Sequence, residues 1–163
     1  MQFFLESISP DDRESVIDIF NHYVENSFAA YPESAVPYEF FDMLLQMAHG
    51  YPTVAAKDEH GKTMGFGILR THNPIPTFSQ TAEITCFIKP EYTGKGMGTS
   101  MLQHLIEEGK KRNITSVLAN ISSLNARSIA FHRKHGFKEC GRFQGICKKK
   151  GQVFDVVWMQ RML

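Results

Sequence analysis

The sequence has few cysteines and nearly balanced charges, and each of these features argues against a class of protein. There are 3 cysteines in 163 residues, at positions 86, 140 and 147. Their odd number and their spacing fit neither a disulfide framework nor a metal module, so we expect free thiols in a reducing compartment. The 18 basic and 17 acidic residues leave a formal charge of +1, which argues against a nucleic-acid partner.

Long hydrophobic runs are missing as well. No apolar segment approaches the roughly 18 residues that a membrane-spanning helix needs, and the opening MQFFLESISPDDRE becomes acidic too early for a signal peptide. We therefore expect a cytoplasmic protein without a membrane partner. The 42% of hydrophobic and 21% of charged residues are typical of a soluble domain, and we expect a single domain over residues 1–163.

The order of the predicted helices and strands indicates a mixed α/β domain. The predicted elements are a strand at 3–8, helices at 10–25 and 38–50, strands within 53–70 and at 81–88, a helix at 96–112, a strand at 115–121, a helix at 125–136, and strands on both sides of a turn at 148–152. The resulting order, β-α-α-β-β-β-α-β-α-β-β, indicates an α+β mixed sheet rather than a doubly wound parallel sheet.

The segment YTGKGMGTSML at 92–102 places three glycines at alternate positions just before a predicted helix. A P-loop requires Gly-Lys followed by Ser or Thr, and the dinucleotide fingerprint requires Gly-x-Gly-x-x-Gly, so both templates fail. One remaining interpretation is a nest, in which consecutive backbone N–H groups and the positive end of the helix hold a phosphate as a handle. The other is a tight turn that uses its glycines for conformation alone.

The segment CFIKPEYTGKGMGTSMLQHLIEEGKKR at 86–112 resembles the acetyl-CoA-binding segment of the GNAT superfamily of N-acetyltransferases. In that superfamily a strand leads into a loop of the form [Gln/Arg]-x-x-Gly-x-[Gly/Ala] and then into a helix. Gly96 and Gly98 match the two small positions, and Thr93 stands where the family usually has Arg or Gln. This departure removes one side-chain contact with the diphosphate and leaves the backbone donors in place.

Four blocks resemble the phosphinothricin and methionine-sulfoximine acetyltransferase branch of that superfamily, in the same order along the chain. They are NHYVENS (21–27), TAEITCFIKP (81–90), LNARSIAFHRKHGF (124–137) and GRFQGICKKKGQVFDVVWMQ (141–160). With the glycine loop, the resemblance covers nearly the full chain. It implies the GNAT-like acyl-CoA N-acyltransferase fold, acetyl-CoA as co-substrate and a homodimer.

The resemblance also implies a coenzyme site. An asparagine at the position of Asn125 commonly contacts the pantetheine or phosphate portion of coenzyme A, although a helix cap would explain this residue too. The backbone of Cys86, Phe87 and Ile88 is expected to pair with the pantetheine amides like an added strand, and strand amides near there to stabilise the oxyanion. The expected loop contacts are Thr93, Gly94, Lys95, Gly96, Met97, Gly98 and Thr99, mostly through backbone.

Direct acetyl transfer needs a base, because an amine is mostly protonated at neutral pH, but it needs no nucleophilic Ser or Cys. Glu83 is the candidate base, since it lies in a largely apolar strand before the loop and the branch has its base in a matching Thr-Ala-Glu context. A carboxylate facing solvent is the alternative. His132 is a second candidate, for proton transfer or for a structural hydrogen bond. His132 and His135 have no evident third ligand, so we expect no metal.

Two segments are expected to form the acceptor site, SFAAYPESAVP (27–37) and LRTHNPIPTF (69–78). The candidate residues are Phe28, Tyr31, Arg70, His72 and Ile75. Relatives place a basic residue at the position of Ile75, where it engages an acceptor carboxylate or phosphinate, and Arg70 or His72 is the available replacement here. We expect a small, amino-acid-like primary amine as the acceptor.

Other interpretations stay open at this point. The acceptor is alternatively a peptide N terminus or a polyamine, and a non-catalytic acetyl-CoA-binding module is the alternative to an enzyme. The KKK run at 148–150 is interpreted as the solvated tip of a hairpin, with too few charges for nucleic-acid binding. Trp158 is interpreted as core or interface packing.

Overall fold

The computed structural model describes all residues from 1 to 163, and a seven-stranded mixed sheet runs through it. The strands are β1 (Phe4–Glu6), β2 (Thr53–Lys57), β3 (Thr63–Thr71), β4 (Thr81–Ile88), β5 (Ser116–Ser122), β6 (Lys138–Lys149) and β7 (Gln152–Met162). The helices are α1 (Arg13–Asn26), α2 (Phe40–Met47), α3 (Met97–Lys111) and α4 (Ala126–Lys134). The observed order of elements is the predicted one, and the mixed α/β class is confirmed.

The strands lie in the order β1-β2-β3-β4-β5-β7-β6. Every neighbouring pair is antiparallel except β4 and β5, which are parallel. The parallel pair is short, since only 81–83 of β4 faces 116–118 of β5. Beyond Glu83, β4 keeps its pairing with β3 and β5 keeps its pairing with β7. The two central strands therefore part, and a cleft opens between them.

Hydrophobic residues cover both faces of this sheet. On one face, α3 packs on the strands through Met97, Met101, Leu102, Leu105 and Ile106. On the other face, α1 and α2 contribute Val16, Ile17, Phe20, Phe41 and Leu44. Gly67 of β3 is required by this packing, because a Cβ there would lie only 2.5 Å from the sulfur of Cys86. The apolar residues that recur at helical spacing in the sequence are thus the ones that each helix buries in one of these two hydrophobic layers.

The hairpin of β6 and β7 corrects one prediction. Its tip was expected to be solvated, yet Lys149 is 0% exposed. The ammonium donates to the carbonyls of Val24 (2.7 Å), Ser27 (2.7 Å) and Ala30 (2.6 Å). These carbonyls belong to the last turn of α1 and the loop after it, where the backbone lacks helical donors. The lysine run is therefore partly an anchor that ties the hairpin to α1, and only its neighbours 148 and 150 are exposed.

None of the helices is long and apolar enough to cross a membrane.

Candidate active site

The cleft between β4 and β5 has a volume of about 380 Å³. One wall comes from α1, α2 and the loop between them, and it is largely apolar, with Phe20, Phe40, Leu44 and Met47. The other wall comes from the ends of β4 and β5 and from α4. Of all the side chains that line the cleft, only Arg70 carries a permanent charge. The geometry thus offers an apolar site with a single cation.

Glu83 lies at the point where the strands part, and it is 7% exposed. Its Oε1 accepts from Arg70 Nη2 and from Asn120 Nδ2, both at 3.1 Å. Its Oε2 lies 2.9 Å from His72 Nδ1. Because a carboxylate can only accept, His72 carries its hydrogen on Nδ1 in this contact. The alternative of a solvent-facing carboxylate is therefore excluded.

Two partners of Glu83, rather than Glu83 itself, border the cleft. Arg70 and Asn120 are among the lining residues. Arg70 is held further by Thr85, whose hydroxyl accepts from its Nε at 3.2 Å. The ring of His72 packs edge-on against Phe78 and Trp158, with ring centres 6.0 and 6.4 Å away. A polar cluster that is fixed by packing therefore forms the floor of the cleft.

His132 lies on α4 and also lines the cleft. Its Nδ1 lies 2.8 Å from the carbonyl oxygen of Ser128. Since a carbonyl only accepts, the hydrogen is on Nδ1, and Nε2 of the neutral ring has a free lone pair. Burial lowers the pKa of His132, and the nearby His135 lowers it further. His132 is thus set to accept a proton rather than to carry one at neutral pH.

A pH dependence of stability follows from the lowered pKa of His132. As the pH falls through about 6.5, the ordinary value for histidine, the unfolded chain takes up this proton before the folded chain does. The folded state therefore loses stability in the acidic direction. We expect the melting temperature of His132→Asn to fall less between about pH 7.5 and 5.5 than that of the wild type. His60→Asn, at an exposed position, should keep the wild-type slope, and equal slopes for all three proteins would contradict this assignment.

The backbone of 84–88 has one open edge. β3 pairs with one side of this segment, whereas β5 has already left the other side. Cys86 and Phe87 line the cleft there, and the carbonyl of Ile88 accepts a hydrogen bond from the Tyr23 hydroxyl. Burial raises the pKa of the Cys86 thiol to about 12. This agrees with its interpretation as a strand residue, because the nucleophilic form of cysteine is the thiolate.

The glycine loop between β4 and α3 presents a row of backbone donors. Gly94 and Gly96 have positive φ angles of 75° and 85°, which glycine adopts without strain. None of the N–H groups from 94 to 99 donates within the chain; the first bonded amide is Ser100, which donates to Gly96 at 3.1 Å. Six consecutive donors at the start of a 15-residue helix therefore have no partner within the chain, as in an anion-binding nest.

The side chains of this loop are engaged locally. Thr93 Oγ1 donates to the carbonyl of Pro90 at 2.8 Å, and Lys95 Nζ donates to the carbonyl of Glu91 at 2.9 Å. Thr99 Oγ1 lies 3.1 Å from His135 Nε2. Asn125 begins α4 by accepting from the Ser128 N–H at 3.2 Å, and it also lines the cleft. Both interpretations of Asn125, helix cap and site residue, are compatible with this position.

The five acceptor candidates lie in different surroundings. Tyr31 and Arg70 line the cleft. Phe28 packs against Phe154, with ring centres 5.6 Å apart. His72 contacts Glu83, and Ile75 is 56% exposed. The structure thus brings Tyr31 and Arg70 together in the cleft and places the other three outside its lining.

The hydroxyl of Tyr31 stands out among the cleft residues. It is buried and has no hydrogen-bond partner, and burial raises the pKa of Tyr31 to about 12. Buried polar groups in folded proteins are nearly always paired, so an unpaired one calls for an explanation.

A comparison with known protein families identifies the family of this chain. Residues 16–137 match the Acetyltransferase (GNAT) family. The chain belongs to the GNAT family of acetyltransferases.

Relatives of this GNAT chain agree with the match. It is 31% identical over 153 residues to the L-methionine sulfoximine/L-methionine sulfone acetyltransferase of Pseudomonas paraeruginosa, covering 91% of this chain and 88% of the relative. Its structure is similar to a ribosomal-protein-alanine N-acetyltransferase from Brucella melitensis (30% identity, TM-score 0.91, covering 98% of this chain and 99% of that one). It is also similar to a phosphinothricin acetyltransferase from Sinorhizobium meliloti in complex with AcCoA (27%, TM-score 0.93, covering 100% and 89%). The predicted superfamily, branch and enzyme class are confirmed.

The GNAT co-substrate acetyl-CoA fits the residues of this chain. The free N–H groups of 94–99 suit its diphosphate. The open edge of β4 at 84–88 offers backbone groups for its pantetheine amides. No three His, Cys, Asp or Glu side chains are grouped so that they could hold a metal ion.

Sequence reasoning missed two residues of this GNAT site. Asn120 donates to Glu83, and its only signal in the sequence was a polar residue that follows the apolar run VLA in the strand TSVLANI. Lys149 holds the carbonyl of Ala30, beside Tyr31 in the cleft wall. Its partners lie 119 to 125 residues away, and no local pattern indicates such a contact.

Proposed function

We propose that this enzyme acetylates the primary amine of a small amino-acid-like acceptor of the phosphinothricin or methionine-sulfoximine type. One observation carries the proposal: the cleft combines a single permanent charge, Arg70, with an apolar wall and the unpaired hydroxyl of Tyr31. An acidic group fits the cation, and an apolar side chain fits the wall. A polyamine fits poorly, since no carboxylate lines the cleft.

Arg70 and Tyr31 are proposed to bind the acidic group of the acceptor. Two nitrogens of Arg70, Nε and Nη2, already donate to Thr85 and Glu83, whereas Nη1 donates to no group of the chain. A guanidinium has five N–H donors, so capacity remains for a carboxylate or phosphinate. The Tyr31 hydroxyl would gain its missing partner from the same group. The bound acceptor thus relieves the cost of a buried, unpaired hydroxyl.

Glu83 is proposed as the general base. Acetyl-CoA would supply the acetyl thioester. Glu83 removes the ammonium proton, so that the amine can attack the thioester carbonyl and form the C–N bond; the C–S bond then breaks, coenzyme A leaves as a thiolate, and the remaining proton lost from the nitrogen passes to that sulfur. Because all the contacts of the carboxylate are with Arg70, His72 and Asn120, we propose that the proton reaches it through a bound water. Arg70, His72 and Asn120 hold the carboxylate in one orientation.

His132 is proposed as a second group that handles protons. Its Nδ1–H donates to the carbonyl of Ser128, which fixes the ring. Nε2 then remains free to accept a proton during the reaction. The unpaired backbone edge of β4 is proposed to donate to the developing oxyanion, as backbone N–H groups do in other acyl transfers.

An acceptor panel tests the proposed function. The purified chain is incubated with acetyl-CoA and L-methionine sulfone, L-methionine sulfoximine, phosphinothricin, spermidine or a peptide that begins with alanine. Release of coenzyme A and the mass of the product are followed. We expect turnover with at least one of the first three and far less with spermidine. Transfer only to the peptide or only to spermidine would overturn the proposal.

The acidic-group site makes its own prediction. The carboxamide of an accepted amino acid should have a KM about 10- to 100-fold higher than the parent acid, because a charge-assisted hydrogen bond to Arg70 is lost. Tyr31→Phe should raise the KM of the acid several-fold and that of the carboxamide less, with kcat for both nearly unchanged. Tyr38→Phe, which removes an exposed hydroxyl outside the cleft lining, is the matched control. Equal KM values for acid and carboxamide would remove Arg70 and Tyr31 from acceptor binding.

We also propose a homodimer that forms through the β6–β7 hairpin. β6 is an edge strand, and Phe143, Ile146 and Val153 expose more than half of their surface on this hairpin. An open strand edge and exposed apolar side chains favour association. Sedimentation equilibrium of wild type and Phe143→Asp measures this, and a monomeric wild type would contradict it.

A further inference from the structure

Arg127 stands over the glycine loop, although it belongs to a different element. It lies in the first turn of α4. Its Nη2 is only 3.4 Å from the point where a Cβ on Gly94 would be. Apart from the adjacent residues 93 and 95, no other residue comes within 4 Å of that point. The guanidinium therefore borders the row of free N–H groups at 94–99.

The charge of Arg127 is uncommitted. The side chain makes no hydrogen bond and no ion pair within the chain, unlike Arg13, Arg70 and Arg142, each of which faces a carboxylate. Residue 127 is exposed, so a ligand at the loop can reach it without any rearrangement of the core.

The loop itself lacks a free polar side chain for an anion. Thr93, where related loops have Arg or Gln, donates its hydroxyl to Pro90. Lys95 donates to Glu91 and lies 5.8 Å from the ring centre of Tyr92. The nest thus has backbone donors, and the nearest uncommitted cation is on α4.

We propose that Arg127 binds the diphosphate of acetyl-CoA and replaces the side-chain contact that Thr93 does not provide. A guanidinium forms paired, charge-assisted hydrogen bonds with phosphate oxygens and is weakly hydrated, so it suits this role better than a lysine. The diphosphate would then be held between the start of α3 and the first turn of α4. The proposal concerns only the coenzyme and is independent of the acceptor.

Calorimetric titration with coenzyme A tests the proposal without any turnover. We expect Arg127→Ala to bind coenzyme A about 10- to 100-fold more weakly than the wild type. Arg127→Lys should lose less. Arg133→Ala, which removes another exposed cation of the same helix, should stay within twofold. A loss within twofold for Arg127→Ala, or an equal loss for Arg133→Ala, would overturn the proposal.

Truncated coenzymes locate the contact. S-acetylpantetheine has no phosphate, so its KM should be the same for wild type and Arg127→Ala. With 3′-dephospho-coenzyme A, which keeps the diphosphate, the full loss of affinity should persist. An equal loss with S-acetylpantetheine would indicate general damage, and a loss that vanishes with 3′-dephospho-coenzyme A would assign Arg127 to the 3′-phosphate. Either result overturns the proposal.

A rescue variant completes the test. Thr93→Arg places a guanidinium on the loop itself, where related chains have one. In the Arg127→Ala background it should restore most of the affinity for coenzyme A, whereas Ser100→Arg, one turn into α3, should not. Failure of Thr93→Arg to improve binding in a folded double variant would contradict the idea that Arg127 substitutes for the missing loop side chain.

Discussion

Glu83→Gln is expected to lower kcat by about 10²- to 10⁴-fold, the usual contribution of a general base, while coenzyme A binds with unchanged affinity. Glutamine keeps the shape of the side chain, and its carbonyl can still accept from Arg70 and Asn120, the donors that now hold Oε1. Its amide nitrogen faces His72 Nδ1, now 2.9 Å from Oε2. The histidine can switch tautomer and accept there.

The measurement is steady-state kinetics with an accepted amino acid, combined with titration of coenzyme A. Glu139→Gln makes the same change at an exposed position on β6. It is the matched control and should leave kcat within about twofold. A kcat within about threefold of the wild type would remove Glu83 from the mechanism, and a parallel loss of coenzyme binding would point to a damaged cleft.

Lys149→Met is expected to produce the largest loss of stability, about 2–4 kcal/mol, because buried acceptors that lose their donor cost about 1–3 kcal/mol. Methionine has a similar length but no donor, so the carbonyls of Val24, Ser27 and Ala30 lose their common partner. For a chain of this size the melting temperature should fall by roughly 10 °C. The KM of the acceptor should rise as well, because Ala30 and Tyr31 line the cleft.

Lys148→Met is the control for this loss, since the neighbouring lysine is exposed and surface changes usually stay within about 0.5 kcal/mol. Thermal unfolding of both variants and of the wild type gives the comparison. If the two lysine variants melt together, the three carbonyl contacts do not stabilise the fold. Hydrogen exchange in 24–31 provides a second measurement, and it should increase in Lys149→Met alone.

The order of the elements could be predicted from the sequence because each element has its own local pattern. Helical spacing of apolar residues marks α1 and α3, and alternation marks β4. The bounds were less exact: α2 covers 40–47 instead of 38–50, and β1 covers 4–6 instead of 3–8. The ends of helices depend on which backbone groups find partners, and these partners come from tertiary structure.

The glycine loop could also be located in advance from its composition, and Glu83 from the resemblance of its Thr-Ala-Glu context to the acetyltransferase branch. The partners of Glu83 could not. Asn120 is 37 residues away and lies on a strand that meets β4 only at its start. The same limit applies to Arg127 beside Gly94 and to Lys149 beside Ala30. Periodicity indicates which face a residue occupies, but not which distant residue packs against it.

Because β4 and β5 separate after Glu83, the cleft between them has two walls from different parts of the chain, and this affects how the enzyme can evolve. The wall proposed to face the acceptor is built from 20–47, with Arg70 beside it, and the opposite wall from 84–132. Mutations between 28 and 47 can therefore alter the wall proposed for the acceptor while the groups proposed to hold the coenzyme stay in place. A cleft whose two walls come from separate stretches of chain lets one half of a reaction diversify while the other half stays constant.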